Sequence, residues 1–383
     1  MNEMIYLDNS ATTKVNPQVM ETYVRANDNF WGNSSSLHNF GAASEQLLFQ
    51  SSRKILDLLT AKNHQVIFTS GATESNNLAL KGVIANHQGA HLITTKIEHP
   101  SVSEVCDELK KQGIRISYLD VRQSSEAIVN QLETLIEKDT LLVSCMQVNN
   151  EMGLVLPIKE MGALLSNYPR IKFHVDAVQS VGKFPLDLEA FKIDLLSISA
   201  HKIHGIKGVG ALIARLGMPL KCQIAGGGQM NGLRCGTVNV AGAASLAKAL
   251  RLQIVDQAEK FKKISRLFNY TSQKLEAIPG VVINSKFANQ SPYIINFWVR
   301  DVRGETLVYA LSEHGIYISA KSACSSKVKQ ASPVLLALGF TNQVAVESLR
   351  ISFANDSTLA EVDQFLASLQ IEIAKLTAPG SGR

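Results

Sequence analysis

The chain has 383 residues, 45% hydrophobic and 19% charged, with a mean hydropathy of +0.05, which excludes a disordered or repetitive chain and fits a well-buried α/β protein of two domains. Its 38 basic residues against 33 acidic ones leave a net charge of only +5, which argues against direct nucleic-acid binding and leaves a modest attraction for anionic ligands or acidic proteins. Cys106, Cys145, Cys222, Cys235 and Cys324 never form a C-x-x-C pair, so neither a disulfide framework nor a structural zinc site is expected. No apolar run reaches the about 18 residues of a membrane span, and a reduced, cytoplasmic protein follows.

The expected division is a large domain over 14–255, a smaller one from 1–13 with 256–376, and a flexible tail at 377–383. Tyr6-Leu-Asp-Asn-Ser-Ala-Thr-Thr13 is a short apolar entry turning polar, and Asn16-Pro17 supplies an N-cap and first-turn proline for a helix to about Val24. A polar loop, Gly32-Asn-Ser-Ser-Ser-Leu-His38, precedes a helix with apolar residues at Leu47, Leu48, Ile55, Leu58 and Leu59.

From Gln65 a strand–turn–helix pattern repeats, with strands at 65–69, 91–95, 114–119, 140–145, 172–175 and 194–198. This alternation predicts a mostly parallel sheet covered by helices on both faces, whose ligands collect beyond the carboxyl ends of the strands. A glycine-rich loop, Gly226 to Thr237, leads into one long helical region from about Ala241 to Ile278, expected to bend between domains. Shorter strands near 281–284, 293–299, 316–319 and 348–353, with helices near 305–313 and 358–376, complete a compact α/β cap.

The residues that carry chemistry fall at strand ends. Lys202 leaves a buried strand in a polar turn, where its surroundings decide whether the amine is a nucleophile. Asp176 and Gln179 end the strand before it. A lysine for an aldehyde and an acid for a pyridine nitrogen are the two attachments that pyridoxal 5'-phosphate (PLP) needs. Gly71-Ala-Thr73 lies between strand and helix, where backbone N–H groups favour an anion, although a plain capping turn reads the same; Ser199 and His201 are further donors for a phosphate. His99, before Pro100, is either a helix cap or a flat ring for a pyridine to stack on. His201 and His204 lack a convergent acid or cysteine, so no metal site is expected. Cys324 lies in a small-residue polar loop with Lys321, Lys327 and Lys329, which favour its thiolate. Arg350 alternates with apolar residues in a strand and either points to solvent or holds a carboxylate in its planar fork.

Taken as an ordered set, Gly71-Ala-Thr-Glu-Ser-Asn-Asn77, Val148-Asn-Asn-Glu-Met-Gly153, His174-Val-Asp-Ala-Val-Gln-Ser180, Ser199-Ala-His-Lys202 with Gly205, Arg234-Cys-Gly-Thr237 and Ser322-Ala-Cys-Ser325 resemble the cysteine desulfurases. These form a branch of the class V aminotransferase group with the fold type I PLP architecture, and the resemblance runs from Tyr6 to Ser352. It implies that Lys202 carries PLP, that Asp176 pairs with its pyridine nitrogen, that Gln179 meets its phenolate oxygen and that His99 covers its ring. Ala72, Thr73, Ser199 and His201 would bind the phosphate, and Thr237 would reach the phosphate of a neighbouring subunit, implying a homodimer. Asn33, Asn150 and Arg350 would orient L-cysteine, and Cys324 would accept its sulfur as a persulfide, leaving alanine.

The sulfur would then pass to an acceptor protein, an iron–sulfur scaffold or a tRNA-thiolation enzyme. Met230 stands where the family usually has glutamate, Ser10 where alanine is usual, and Cys235 is an extra thiol. A selenocysteine lyase or another class V lyase or aminotransferase is the nearest alternative, since fold alone does not fix chemistry. A non-catalytic docking platform for sulfur-acceptor proteins is the alternative from another class.

Overall fold

A computed structural model describes residues 4–85, 87–320 and 331–378; the expectations placed on Cys324 and its lysine neighbours, and on tail residues 379–383, lie outside the described residues. In chain order the first elements are β1 (Ile5–Tyr6), α1 (Pro17–Asn29), α2 (Asn39–Leu58), β2 (His64–Thr69), α3 (Ala72–Ile84), β3 (His91–Thr95), α4 (Pro100–Lys111), β4 (Arg115–Leu119), α5 (Ser125–Leu135), β5 (Thr140–Met146), α6 (Ile158–Leu165), β6 (Lys172–Asp176), β7 (Leu195–Ser199) and β8 (Gly210–Arg215). There follow α7 (Val240–Ile254), α8 (Gln257–Glu276), β9 (Val281–Ile283), β10 (Ile294–Val299), α9 (Gly304–Glu313), β11 (Ile316–Tyr317), α10 (Pro333–Ala337), α11 (Asn342–Glu347), β12 (Leu349–Ser352) and α12 (Leu359–Thr377).

These elements form two compact units. The larger comprises Lys14–Gln147 and Leu156–Gln257, and the smaller comprises Val148–Val155 with the described parts of Met1–Thr13 and Ala258–Arg383.

The larger unit is built on a seven-stranded sheet in the order β2-β8-β7-β6-β5-β3-β4. Its strands β7, β6, β5, β3 and β4 run parallel, while β8 is antiparallel to both neighbours. Strands β3 and β7 are buried along their whole length, as expected where helices cover both faces of a parallel sheet. β8 is the strand that the pattern did not predict: it starts at Gly210, on the heels of Gly205 and Gly208, and gains its place by antiparallel pairing with the preceding β7 and with the remote β2. Gly210 must be glycine, because a Cβ there would lie 2.6 Å from Gly71 Cα and 2.8 Å from Ile198 O.

Against the expectation of one bent helix over 241–278, the structure has two. Val255 ends α7 in an extended conformation and Asp256 takes φ +55°, a left-handed turn that an α-helix cannot pass through. The halves differ in kind. α7 is rich in alanine, with Ala241, Ala243, Ala244, Ala247 and Ala249 buried among others, and small side chains let it pack closely on α1 and α2. α8 buries one stripe, Ile264, Leu267, Thr271 and Leu275, in the core of the smaller unit.

In the smaller unit the antiparallel sheet β12-β10-β9 and the parallel pair β1-β11 share a core with α8, α9 and α12. Phe297, Phe353 and Phe365 are its bulkiest apolar members below Tyr293. Residues 148–155 join this unit through backbone contacts of Gly153, Leu154 and Val155 with Asn289, Gln290 and Ser291.

Candidate active site

In the larger unit the sheet's parallel strands set the positions of three groups. β6 ends at Asp176, opposite Met146 of β5 and Ser197 of β7. Two residues beyond Ser197, β7 ends at Ser199 and the chain makes a single 3-10 turn, Ala200–Lys202, so Lys202 follows a fully buried strand by three residues. The turn closes when Gly205 N–H donates to Ala200 O at 2.8 Å; a Cβ at Gly205 would meet that same oxygen at 2.8 Å.

Asp176 is 5% exposed. Its Oδ2 accepts from Asn76 Nδ2 at 2.9 Å and its Oδ1 from the Val178 N–H at 3.0 Å. Asn76, on α3, also donates to Ser101 Oγ at 2.8 Å. Ser101, on α4, contacts His99 Nδ1 with its hydroxyl at 2.8 Å and donates its backbone N–H to the same nitrogen at 3.1 Å. A ring nitrogen that accepts from a backbone N–H carries no proton, so the neutral ring holds its proton on Nε2. His99 titrates below the ordinary histidine range, first because it is buried and then through the charge of Lys202, against the opposing pull of Asp176. His99 therefore lies within electrostatic reach of both Asp176 and Lys202.

Further groups line this region. Gln179 is buried, and Lys183 approaches its Oε1 at 3.5 Å. Burial, followed by the charge of Lys202, pushes the Lys183 ammonium down to about 7. His201 is pushed down to about 4 by burial and by Lys202 and Lys207, so its imidazole is neutral at pH 7. Glu98, fully buried, accepts from Thr95 Oγ1 at 2.6 Å and from the Met146 N–H; burial pushes it up to about 8, with the negative charge of Asp176 adding to the effect.

The start of α3 has no side-chain cap. Gly71, with φ +156° and ψ −179°, makes no side-chain cap, leaving the first-turn amides of Ala72 and Thr73 without a capping group from it. A Cβ at Gly71 would lie 3.6 Å from Ser199 Oγ, so hydroxyl and helix terminus converge. Glu74 steadies the turn, accepting from the Ser70 N–H at 2.8 Å and from Arg234 Nε of the glycine-rich loop at 2.9 Å. On that loop Thr237 is exposed, as is Asn33, whose Oδ1 accepts from the Ser35 N–H at 3.0 Å.

The smaller unit brings Asn150 and Arg350 together. Arg350 is 2% exposed, donating from Nη1 to Asn150 O at 2.9 Å and from Nη2 to Asp8 Oδ1 at 2.8 Å. Its orientation is thus inward, not to solvent. Beside it, Glu151 is buried and its Oε2 accepts from Ser332 Oγ at 2.6 Å. Asn76, Ser101, Asp8 and Glu151 have no role in the sequence reading of the site; Asn76 and Glu151 lie within stretches quoted for the family resemblance, and only their partners reveal what they do.

Burial pushes the Cys106 thiol up to about 12 and raises that of Cys145 well above the ordinary thiol value, so neither is a ready nucleophile.

The family model described as aminotransferase class-V matches residues 5–365. A NifS/IcsS protein homolog of Lactobacillus delbrueckii subsp. bulgaricus is 42% identical, covering 95% of this chain and 96% of the relative. The cysteine desulfurase IscS of Dictyoglomus turgidum is 38% identical over 98% of this chain and 96% of its own length. A solved structure described as a NifS-like protein superposes with a TM-score of 0.88 at 33% identity, covering 98% of this chain and all of the other. With its strand-end lysine and acid on a mostly parallel sheet and similarity along nearly its whole length, the chain belongs to the class V aminotransferases, a PLP-dependent enzyme family, among relatives named as cysteine desulfurases.

Proposed function

We propose that this chain is a PLP-dependent cysteine desulfurase, which takes sulfur from L-cysteine, leaves alanine, and passes the sulfur from Cys324 to an acceptor protein of the iron–sulfur scaffold or tRNA-thiolation kind. The observation that carries this reading is the placement of Asp176 and Lys202 at and just beyond the ends of the neighbouring strands β6 and β7, with His99 in electrostatic reach of both, because an acid for a pyridine nitrogen and a lysine for an aldehyde are the two attachments PLP needs.

The residues fit the group. Asp176 is a buried carboxyl whose two hydrogen bonds above come from neutral donors, which suits it to a cationic pyridine nitrogen. The uncapped start of α3, with Ala72, Thr73, Ser199 and neutral His201, suits a phosphate. Lys202 would be the attachment point, Gln179 would meet the phenolate oxygen, and Thr237 would serve the neighbouring subunit of a homodimer. When bound, PLP supplies an electron-withdrawing ring that takes up the electron pair left when the substrate's Cα–H bond breaks.

The chain's own groups do the rest. Arg350 and Asn150 bind the substrate carboxylate, a role Asn33 shares. Lys202 Nζ moves the Cα proton, and its position three residues past a buried strand limits where that amine travels. His99 covers the ring; with Nδ1 occupied by Ser101, its exchangeable proton is on Nε2. The Cys324 thiolate attacks the substrate sulfur, the substrate C–S bond breaks, and the carbon fragment takes up protons to leave as alanine. The acceptor's thiol later removes the outer persulfide sulfur.

Replacing Cys324 by alanine separates the two halves of this chemistry. The C324A protein is expected to bind PLP and perturb its absorption on adding cysteine, yet to release no sulfide under reductant. Wild-type sulfide and alanine yields from C324A would defeat the proposal.

A further inference from the structure

We propose that Asp8, backed by Glu151, is a built-in competitor for Arg350, holding the protein's grip on amino-acid carboxylates weak so that the product can leave. This rests on the reading that Arg350 binds the substrate carboxylate.

The geometry is local to the smaller unit. Asp8 forms a parallel bridge with Ser352, and the Ser352 N–H donates to Leu7 O at 2.7 Å. Residues 350 and 352 of β12 project on the same side of the strand, since side chains alternate. The Asp8 carboxylate is thereby held against the guanidinium, at 2.8 Å from Nη2.

A guanidinium has five N–H donors in a fixed fork, and a carboxylate binds best along one edge with two parallel bonds. Of the Arg350 nitrogens, Nη1 donates to Asn150 O and Nη2 to Asp8, while Nε is buried with no hydrogen-bond partner among the described residues. A buried donor left unfilled is costly in a resting protein, and a carboxylate bound along this edge would fill it. The edge that offers Nε also offers Nη2, and Asp8 is already on Nη2. An incoming carboxylate must share that nitrogen with another anion.

Glu151 adds to the same field. It is 5% exposed, and its pKa is drawn down by Ser332 and Arg350 and pushed up by burial, the largest of the three effects. Tyr6, also facing this cluster, is pushed up to about 12, mainly by burial and then by Asp8; it stays neutral. Among the described residues, Asp8, Glu151 and Tyr6 are titratable groups that face Arg350.

The chemical reason lies in the reaction itself. Cysteine and alanine carry the same carboxylate, so every increment of affinity at Arg350 holds product as firmly as substrate. Uniform binding of that kind gives no acceleration of the chemical step and slows release. An internal carboxylate that partly neutralises Arg350 keeps orientation, through the fork, while lowering affinity.

The test is the alanine dissociation constant of the holoenzyme by calorimetry, together with the cysteine KM. Asp8→Asn keeps an oxygen acceptor on Nη2 but removes the charge; it is expected to lower both constants together by about tenfold. Glu151→Gln should lower them less, because it removes a more distant negative charge from the field of Arg350. Arg350→Gln should abolish alanine binding.

Unchanged or weaker alanine binding in D8N, with R350Q inactive in binding, would overturn the inference while leaving the function intact. Wild-type alanine binding by R350Q would overturn the reading of Arg350 itself. Should D8N fail to fold, E151Q decides: alanine affinity equal to wild type contradicts the proposal.

Discussion

The two units position their functional groups by different means. In the larger, Asp176 and Lys202 are placed by backbone: parallel register, buried strands, and glycines at 71, 205 and 210 that let chains approach closely. In the smaller, Arg350 is placed by charge, between Asp8 and a backbone carbonyl of Asn150. The first arrangement resists loss of any one side chain but tolerates no added Cβ. The second is open to a single change of charge.

Arg350→Lys tests the second arrangement most severely. A lysine has no planar fork, so cysteine KM is expected to rise by about a hundredfold, while the affinity for PLP, measured by absorption titration, stays at the wild-type value. A parallel loss of PLP affinity would break the distinction between the two groups. Gly210→Ala is the converse. Its Cβ would fall within 2.6–2.8 Å of the Gly71 backbone, so it is expected to cost about 1–3 kcal/mol of stability and to weaken PLP binding, with alanine still engaging Arg350. Thermal melts with and without PLP check it.

The smallest expected effect concerns Glu98. Its ordinary value is 4.5 and its folded value about 8. Between these, the unfolded chain has lost the proton that the native state keeps, so native stability falls as pH rises through the window and levels off above it. Glu98→Gln cannot ionise in either state. The stability difference between E98Q and wild type should therefore grow in favour of E98Q from about pH 4.5 to about pH 8, seen as a diverging pair of melting temperatures.

The same contrast explains what the sequence makes legible. Lys202 and Asp176 each follow an apolar run with strand character, and position beyond a strand's carboxyl end is a local property, so both were readable, as was the parallel sheet. β8 was not, because its glycine-flanked start reads as loop and its pairing partners, β2 and β7, are remote or antiparallel. The break at Asp256 was hidden because both α7 and α8 are good helices and a single left-handed residue leaves no pattern. Asp8 and Arg350 are 342 residues apart, so their ion pair is a tertiary fact with no local signal. Asn76 and Ser101 look like ordinary polar helix residues until their side chains are seen to connect Asp176 with His99.

The central claim is that Lys202, placed at the end of β7, is the residue to which PLP is joined. Lys183 is the demanding control, since it is also buried, lies within the charge of Lys202, and has its amine pushed down to about 7, which makes it chemically competent. Borohydride reduction of the holoenzyme followed by peptide mapping distinguishes them. The account predicts a single reduced pyridoxyl group on Lys202; label on Lys183 instead, or on no lysine, would contradict it.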